Sequence, residues 1–261
     1  IELNGVAVAA NLKAFLWGRR AAHDRAAVER FAGPLNVVEL PRTQSFDELV
    51  ACRADYLTAY QDATYAVRYR ALVEQVRTAE APLGSIRLAD TVAKNYFKLL
   101  AVKDEYEVAR LHADPAFHAQ IADAFEGDYR LNFHLAPPLL AKTDPVTGRL
   151  MKHAYGPWML TAFRWLAKLK FLRGGPFDVF GKSAERRLEQ RLIVDYERDI
   201  AGLLHCLNAT NLAAAIELAC LPEHIRGFGH IKLRAAEAAQ QKRQALLEAW
   251  RTSATPEPKT S

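Results

Sequence analysis

The chain has 261 residues, half of them apolar and a quarter charged, an ordinary globular composition that excludes disorder over most of its length. At about 100–200 residues per domain it holds one large domain or two small ones, with enough core to need no disulfide or metal staple. Its 35 basic and 30 acidic residues leave a charge of +5, too mild for a nucleic-acid signature, which needs a clustered basic face.

Ile1-Glu2-Leu3-Asn4 opens inside an apolar pattern, as a piece of a longer polypeptide would. Residues 5–32 predict one helix, with Val8, Leu12, Phe15/Leu16 and Arg19 at 3–4 spacing and Gly33-Pro34 as its stop. Residues 35–40, between Pro34 and Pro41, predict a strand or an extended connector. Ser45-Phe46-Asp47-Glu48 is a capping box. No Gly or Pro follows before Pro82. A single helix over 46–80 is therefore expected, about 50 Å long at 1.5 Å per residue. It carries two stripes: Leu49, Cys52, Tyr56, Tyr60, Ala63 and Val67, then Tyr65, Tyr69, Leu72 and Val76.

Ala81-Pro82-Leu83-Gly84 is a turn. Leu88, Val92, Tyr96, Leu99, Val102, Tyr106 and Ala109 mark a second helix over 88–112. A short loop between two helices favours antiparallel packing, so the pair is expected to form a long helical hairpin. Pro115 opens a shorter helix to Phe125.

The period then drops to two: Tyr129, Leu131, Phe133 and Leu135 alternate with Arg130, Asn132 and His134. Residues 139–142 and 150–155 flank a turn-rich segment, 143–148, which predicts a small antiparallel β insert near 128–156. Gly156-Pro157 starts a helix with Pro in its first turn. Trp158, Met159, Leu160, Phe163, Trp165, Leu166 and Leu169 are apolar on most of its faces, so it is expected to be buried. Arg164, Lys168 and Lys170 interrupt that stretch, and a membrane span needs about 20 mostly apolar residues.

Gly174-Gly175-Pro176 ends that helix. Ser183 caps another, with the stripe Leu188, Leu192, Tyr196, Ile200, Leu203 and Leu207. Residues 208–219 form a short helix stopped by Pro222, and Gly227-Phe228-Gly229 is a tight break. A last helix runs from His230 to about Arg251, and residues 252–261, with Pro256 and Pro258, are a disordered tail. The expected fold class is mainly α: a multi-helix domain with a long helical hairpin and a small antiparallel β insert.

Familiar catalytic signatures are missing from the sequence: G-x-G-x-x-G, the Walker loop, G-x-S-x-G, H-E-x-x-H and the thiamine-diphosphate motif. Cys52, Cys206 and Cys220 are scattered and form no C-x-x-C, so no zinc-ribbon or iron–sulfur spacing exists. Cys52 and Cys206 fall on apolar stripes and are expected as small core residues in a reducing, cytoplasmic compartment. Asn208-Ala209-Thr210 matches a glycosylation sequon and is taken as a helix start.

Three polar clusters remain. Arg130, Asn132 and His134 share one strand face, either a solvated surface or an anion or partner site. His224, Arg226, His230 and Lys232 surround a Gly-rich turn that feeds a helix. They are either loose surface cations or an anion site at a helix N-terminus. Lys103-Asp104-Glu105-Tyr106-Glu107 is expected mid-helix, with Lys103 and Glu107 as an i,i+4 surface pair. Arg226, His230 and Lys232, with Arg130 and His134, are therefore the candidates for an anion-accepting or substrate lip. No catalytic or metal-ligating residue is assigned.

A resemblance adds to this. The run from Glu2 to Val8, with Asn11, Ala14-Phe15 and Gly18-Arg19, resembles the end of the gamma-type domain of 2-oxoacid:ferredoxin oxidoreductases. Tyr60-Gln61-Asp62-Ala63, Lys103 to Leu111, Phe125 to Arg130, Asn132 to Pro138, Gly156 to Met159 and Arg226 to Lys232 follow in order. Together they resemble the C-terminal domain of bacterial indolepyruvate ferredoxin oxidoreductases, in the fused or large-subunit form. The resemblance covers essentially residues 1–250. It implies residues 1–34 as the end of the gamma-type domain, residues 35–251 as the helical C-terminal domain, and 252–261 as the tail.

The family oxidatively decarboxylates aryl-pyruvates to acyl-CoA and passes electrons to ferredoxin. Thiamine diphosphate, magnesium and 4Fe-4S clusters serve the whole enzyme from other domains, and this segment is expected to bind none of them. Its implied partners are the catalytic domains or subunit of the same enzyme, in a homo- or hetero-oligomer, with CoA and ferredoxin as partners of the whole. No membrane or nucleic-acid partner is expected. The alternative is a stand-alone helical interaction module that binds an anionic partner.

Overall fold

The computed structural model describes residues 7–32, 44–125, 127–136, 151–227 and 229–254, with the backbone alone for residues 32, 230 and 251–254. Contacts divide the chain into Ile1–Gln44 and Ser45–Ser261. The first unit holds α1 (Val8–His23) and α2 (Arg25–Ala32) where one helix was expected. The break falls at Asp24, whose Oδ1 accepts from the Ala27 N–H at 2.9 Å and so caps α2. Trp17 and Phe31 stack across the break at 5.2 Å. The extended segment expected at 35–40 lies outside the described residues.

The second unit opens with the expected capping box. Ser45 Oγ accepts from the Glu48 N–H, and Glu48 Oε2 accepts from the Ser45 N–H at 2.8 Å. The single helix expected over 46–80 is two: α3 (Phe46–Tyr60) and α4 (Ala63–Glu80). Asp62 is extended, and its Oδ1 takes the Tyr65 N–H at 2.8 Å. A straight rod would have pointed its two stripes in different directions. The break lets α3 and α4 pack together, and the second stripe, Tyr65, Tyr69, Leu72 and Val76, enters the main core. In place of the expected first stripe, α3 turns Phe46, Val50, Ala54 and Leu57 inward, leaving Cys52, Ala63 and Val67 exposed.

The helix expected over 88–112 also divides, into α5 (Arg87–Leu100) and α6 (Glu105–Ala113). Here Asp104 is the cap, accepting from the Glu107 N–H at 2.8 Å. Lys103 therefore precedes the helix, and the expected Lys103–Glu107 pair is replaced. Glu107 instead accepts from Arg110 Nη2 at 2.7 Å and from the Tyr56 hydroxyl.

The hairpin is formed by α4 and α5, and it is antiparallel. The Tyr65 hydroxyl donates to the Leu100 carbonyl, the Tyr69 hydroxyl to the Ala93 carbonyl, and Glu80 meets residues 88 and 89. Glu80 is fully buried. Its two oxygens accept from the Leu88 and Ala89 N–H groups, each at 2.8 Å. Those donors at the start of α5 would otherwise have no partner, and the helix dipole favours a carboxylate there. Ile86, which precedes α5, supplies no side-chain cap.

The main core joins α3, α4 and α5 to α9 (Ala184–Leu204), α10 (Leu212–Cys220) and Trp250 of α11 (His230–Ala254). Ser183 caps α9 as expected, with its hydroxyl accepting from the Arg186 N–H. The inner face of α9 is Glu189, Ile193, Tyr196, Ile200 and Leu203, so Leu188 and Leu192 are only half-buried. Asn208 and Asn211 build a turn between α9 and α10, so α10 starts at Leu212 rather than at Asn208.

A smaller core holds Ala109 of α6, Phe133, and Met159 and Phe163 of α8 (Met159–Lys168). The helix at Pro115 is α7 (Pro115–Ala124). β1 (Phe133–Leu135) pairs antiparallel with β2 (His153–Tyr155), with His134 opposite Ala154. Residues 139–142 and 143–148 of the expected insert lie outside the described residues. The fold is mainly α, with eleven helices and a two-stranded antiparallel sheet among the described residues.

Two burial expectations are corrected. Only Met159 and Phe163 of α8 are buried, while Trp165 is 67% exposed and Trp158, just before the helix, 62%. One stripe suffices to cover the small core, and the other rings face outward. Cys52 and Cys206 are exposed. Ala54 and Leu57 take the inner face of α3, and Cys206 lies in the turn past α9. α11 continues to Ala254, and the rest of the expected tail lies outside the described residues. Among the described residues, no helix is long and apolar enough to cross a membrane.

Candidate functional site

Four cations meet where α5 ends and α11 begins. Lys98 comes from α5, Lys103 from the link to α6, Arg226 from the turn before α11, and Lys232 from the first turn of α11. They line a cleft of about 300 Å³ whose apolar wall includes Leu99 and Leu192. That volume is at the lower end of small-molecule pockets, roughly 300–1,000 Å³.

Local bonds hold the cleft in shape. Lys98 Nζ donates to the Pro222 carbonyl at 2.6 Å, tying α5 to the 3-10 turn Leu221–His224. Asn95 Nδ2 reaches Glu223 Oε1 at 3.3 Å, and Arg226 Nε donates to the Glu223 carbonyl at 2.8 Å. Gly227 has φ 95°, and a Cβ there would lie 2.7 Å from Ile231 Cγ2. Only glycine lets the turn close this tightly onto α11.

One carboxylate, Glu189, lies in the lining. It hydrogen-bonds Lys232 and also accepts from Arg186 Nη1 at 2.6 Å. Glu185 is 4.0 Å from Lys232. Among the described residues, no ion pair engages Lys98, Lys103 or Arg226. Burial holds the Lys98 ammonium below its ordinary pKa, and the charges of Arg226 and Lys232 add to that while Glu223 opposes it. The cleft is thus a place where positive charges crowd one another.

Of the residues nominated from sequence, Arg226 and Lys232 meet here. His230 starts α11, and its side chain lies outside the described residues. Arg130 and His134 are exposed on the outer face of the β1 segment and do not line this cleft. Lys98 was missed, because it stands alone among apolar residues of a helix, and Lys103 was expected instead as half of a mid-helix surface pair.

A second charged cluster stands on the other side of Glu189, around a cavity of about 400 Å³. The Arg173 guanidinium grips Asp104, and its Nη1 donates to the Tyr60 carbonyl at 2.6 Å. Asp178 accepts from the N–H groups of Gly174, Phe180 and Gly181 and from the Tyr106 hydroxyl. Every charge in this knot is used to join segments, so it is a structural tie. One atom nearby departs from that pattern. Glu105 Oε2 is buried without a hydrogen bond, 3.6 Å from Arg186 Nη2. Burial raises the Glu105 pKa.

Among the described residues, no group of three or more His, Cys, Asp and Glu could hold a metal ion. An iron–sulfur cluster takes four ligands, mostly thiolates, and three cysteines on separate elements do not fit one. Searches of curated proteins and of solved structures find no match. The model of a family of unknown function, DUF6537, matches residues 46–245, and the chain belongs to that family.

Proposed function

We propose that this chain is the C-terminal accessory domain of a cytoplasmic aryl-pyruvate (indolepyruvate-type) ferredoxin oxidoreductase, and that it acts by forming an interface. The ordered motifs from Glu2 to Lys232 support this reading. The observation that carries the interface role is the aromatic surface at and beyond α8. Trp158, Trp165, Phe171 and Phe177 are each more than 60% exposed. Four large aromatic rings left exposed within one short stretch of a folded chain suit an interaction site, since aromatic residues dominate interface anchors.

The chain has no Asp or Glu from Pro145 to Phe177, and Arg164 and Lys168 stand exposed beside the rings. Such a segment suits an apolar patch with an acidic rim on the catalytic part of the enzyme. α1 adds to the case, since it buries none of its own residues and leaves Phe15 60% exposed. A helix of that kind suits the end of a larger domain. No step of decarboxylation or electron transfer is assigned to residues of this chain.

Acrylamide quenching of tryptophan fluorescence tests the interface. Trp158 and Trp165 should be freely quenched in the isolated chain and protected in the complete enzyme. Equal quenching in both would overturn the interface role.

A further inference from the structure

We propose that the cleft between α5, α9 and the start of α11 binds a small phosphate dianion, free or as a monoester, through Lys98, Lys103, Arg226 and Lys232. This rests on the cleft alone and not on the oxidoreductase reading.

The charge balance comes first. The lining carries four cations and one carboxylate, which is shared with Arg186 outside the cleft. Glu185, 4.0 Å from Lys232, and Glu223, whose charge reaches Lys98, offset the cations only in part. Like charges held together in a fixed fold repel, and a dianion between them adds an attraction to each cation that offsets the repulsion. The second point is the donors. Lys98 spends one of its three N–H groups on Pro222, and Arg226 spends Nε on Glu223. Two N–H groups of Lys98, the Nη groups of Arg226 and the ammonium of Lys103 are left for a ligand. A tetrahedral anion with three strong acceptor oxygens matches donors arriving from several directions, whereas a planar carboxylate has two oxygens.

The third point is shape. About 300 Å³ exceeds what phosphate alone fills, at roughly 30 Å³ per water-sized group. Leu99, Leu192 and Ile225 form an apolar side to the cleft that could cover the organic part of a monoester. Lys232 has a defined response as well. It is bound to Glu189, and it can turn from that carboxylate to the anion while Arg186 keeps Glu189 paired.

Isothermal titration of the 261-residue chain with inorganic phosphate, at fixed ionic strength in chloride, tests the site. Saturable binding is expected with a Kd of about 1 mM or tighter. Lys103→Ala with Arg226→Ala should weaken it tenfold or more. Both side chains are exposed, so circular dichroism should report an unchanged fold. Phenyl phosphate is the second arm. Tighter binding than phosphate assigns the cleft to monoesters, and equal binding assigns it to the free anion. Absence of saturable phosphate binding, or binding unaffected by the double substitution, would overturn the proposal.

Discussion

Arg173 lies over the ring of Tyr60, with its guanidinium carbon 3.7 Å from the ring centroid. In that position its Nη2 donates to Asp104 Oδ1 at 2.9 Å, while Nη1 takes the carbonyl of Tyr60 itself. The side chains of Arg173 and Asp104 are 11% and 8% exposed. One guanidinium thus joins the end of α3, the cap of α6 and the segment after α8.

Arg173→Ala should therefore destabilise the fold by about 3–5 kcal/mol, the cost of leaving one member of a buried pair alone. Arg173→Lys should recover little of this. An ammonium can neither bridge both carboxylate oxygens nor lie flat on the ring. Chemical denaturation of the three proteins measures it. Near-wild-type stability of Arg173→Lys would show that charge alone matters.

Tyr96 is fully buried in the main core, with ring centroids 6.0 Å from Tyr69 and 6.0 Å from Tyr196. Its hydroxyl donates to Glu197, which is held on its other side by Arg68. Tyr96→Ala should cost about 3–5 kcal/mol. Tyr96→Phe should cost only about 1 kcal/mol, since Arg68 keeps Glu197 partnered. The difference between the two urea midpoints checks it, and equal losses would mean that the hydroxyl, not the ring, is what the core needs.

Stability should fall in alkali as buried tyrosines resist ionisation. Burial pushes the Tyr65, Tyr69 and Tyr106 hydroxyls up to about 12 from an ordinary 10. Between those values the unfolded chain loses tyrosine protons that the folded chain retains. The contribution is complete below pH 10 and is lost as pH rises toward about 12. Denaturant midpoints across pH 9–12, with phenolate absorbance at each point, measure it. Ionisation of these three rings at pH 10 with the fold intact would contradict the burial.

Much of this architecture was legible in local pattern. The capping box at Ser45, the cap at Ser183 and the Tyr69–Leu72–Val76 stripe each follow from residues three or four apart. The breaks at Asp24, Asp62 and Asp104 were not legible. An aspartate inside a run without Gly or Pro looks like one more polar-face residue, and its capping role shows only when the chain turns there. Glu80 was missed for the same reason, since its partners are the N–H groups of a later helix.

The candidate site was half legible. Arg226 and Lys232 stand close in sequence beside Gly227, whereas Lys98 and Lys103 arrive from more than 120 residues away. Arg173 and Asp104, 69 residues apart, give no periodic signal at all. Hydrophobicity also cannot separate a core helix from an interface helix. Trp158 and Trp165 look the same in either, and only the packing of Met159 and Phe163 shows which way α8 faces.

In the function proposed above, this chain serves an aryl-pyruvate oxidoreductase without performing its chemistry. The direct measurement is acceptor reduction with indolepyruvate, CoA, thiamine diphosphate, magnesium and a viologen dye. It is run on the purified chain and on the complete enzyme that contains it. No turnover is expected from the chain alone, and indolepyruvate-dependent reduction is expected from the complete protein. Turnover by the chain alone, or a complete protein inert to every aryl-pyruvate tried, would contradict it.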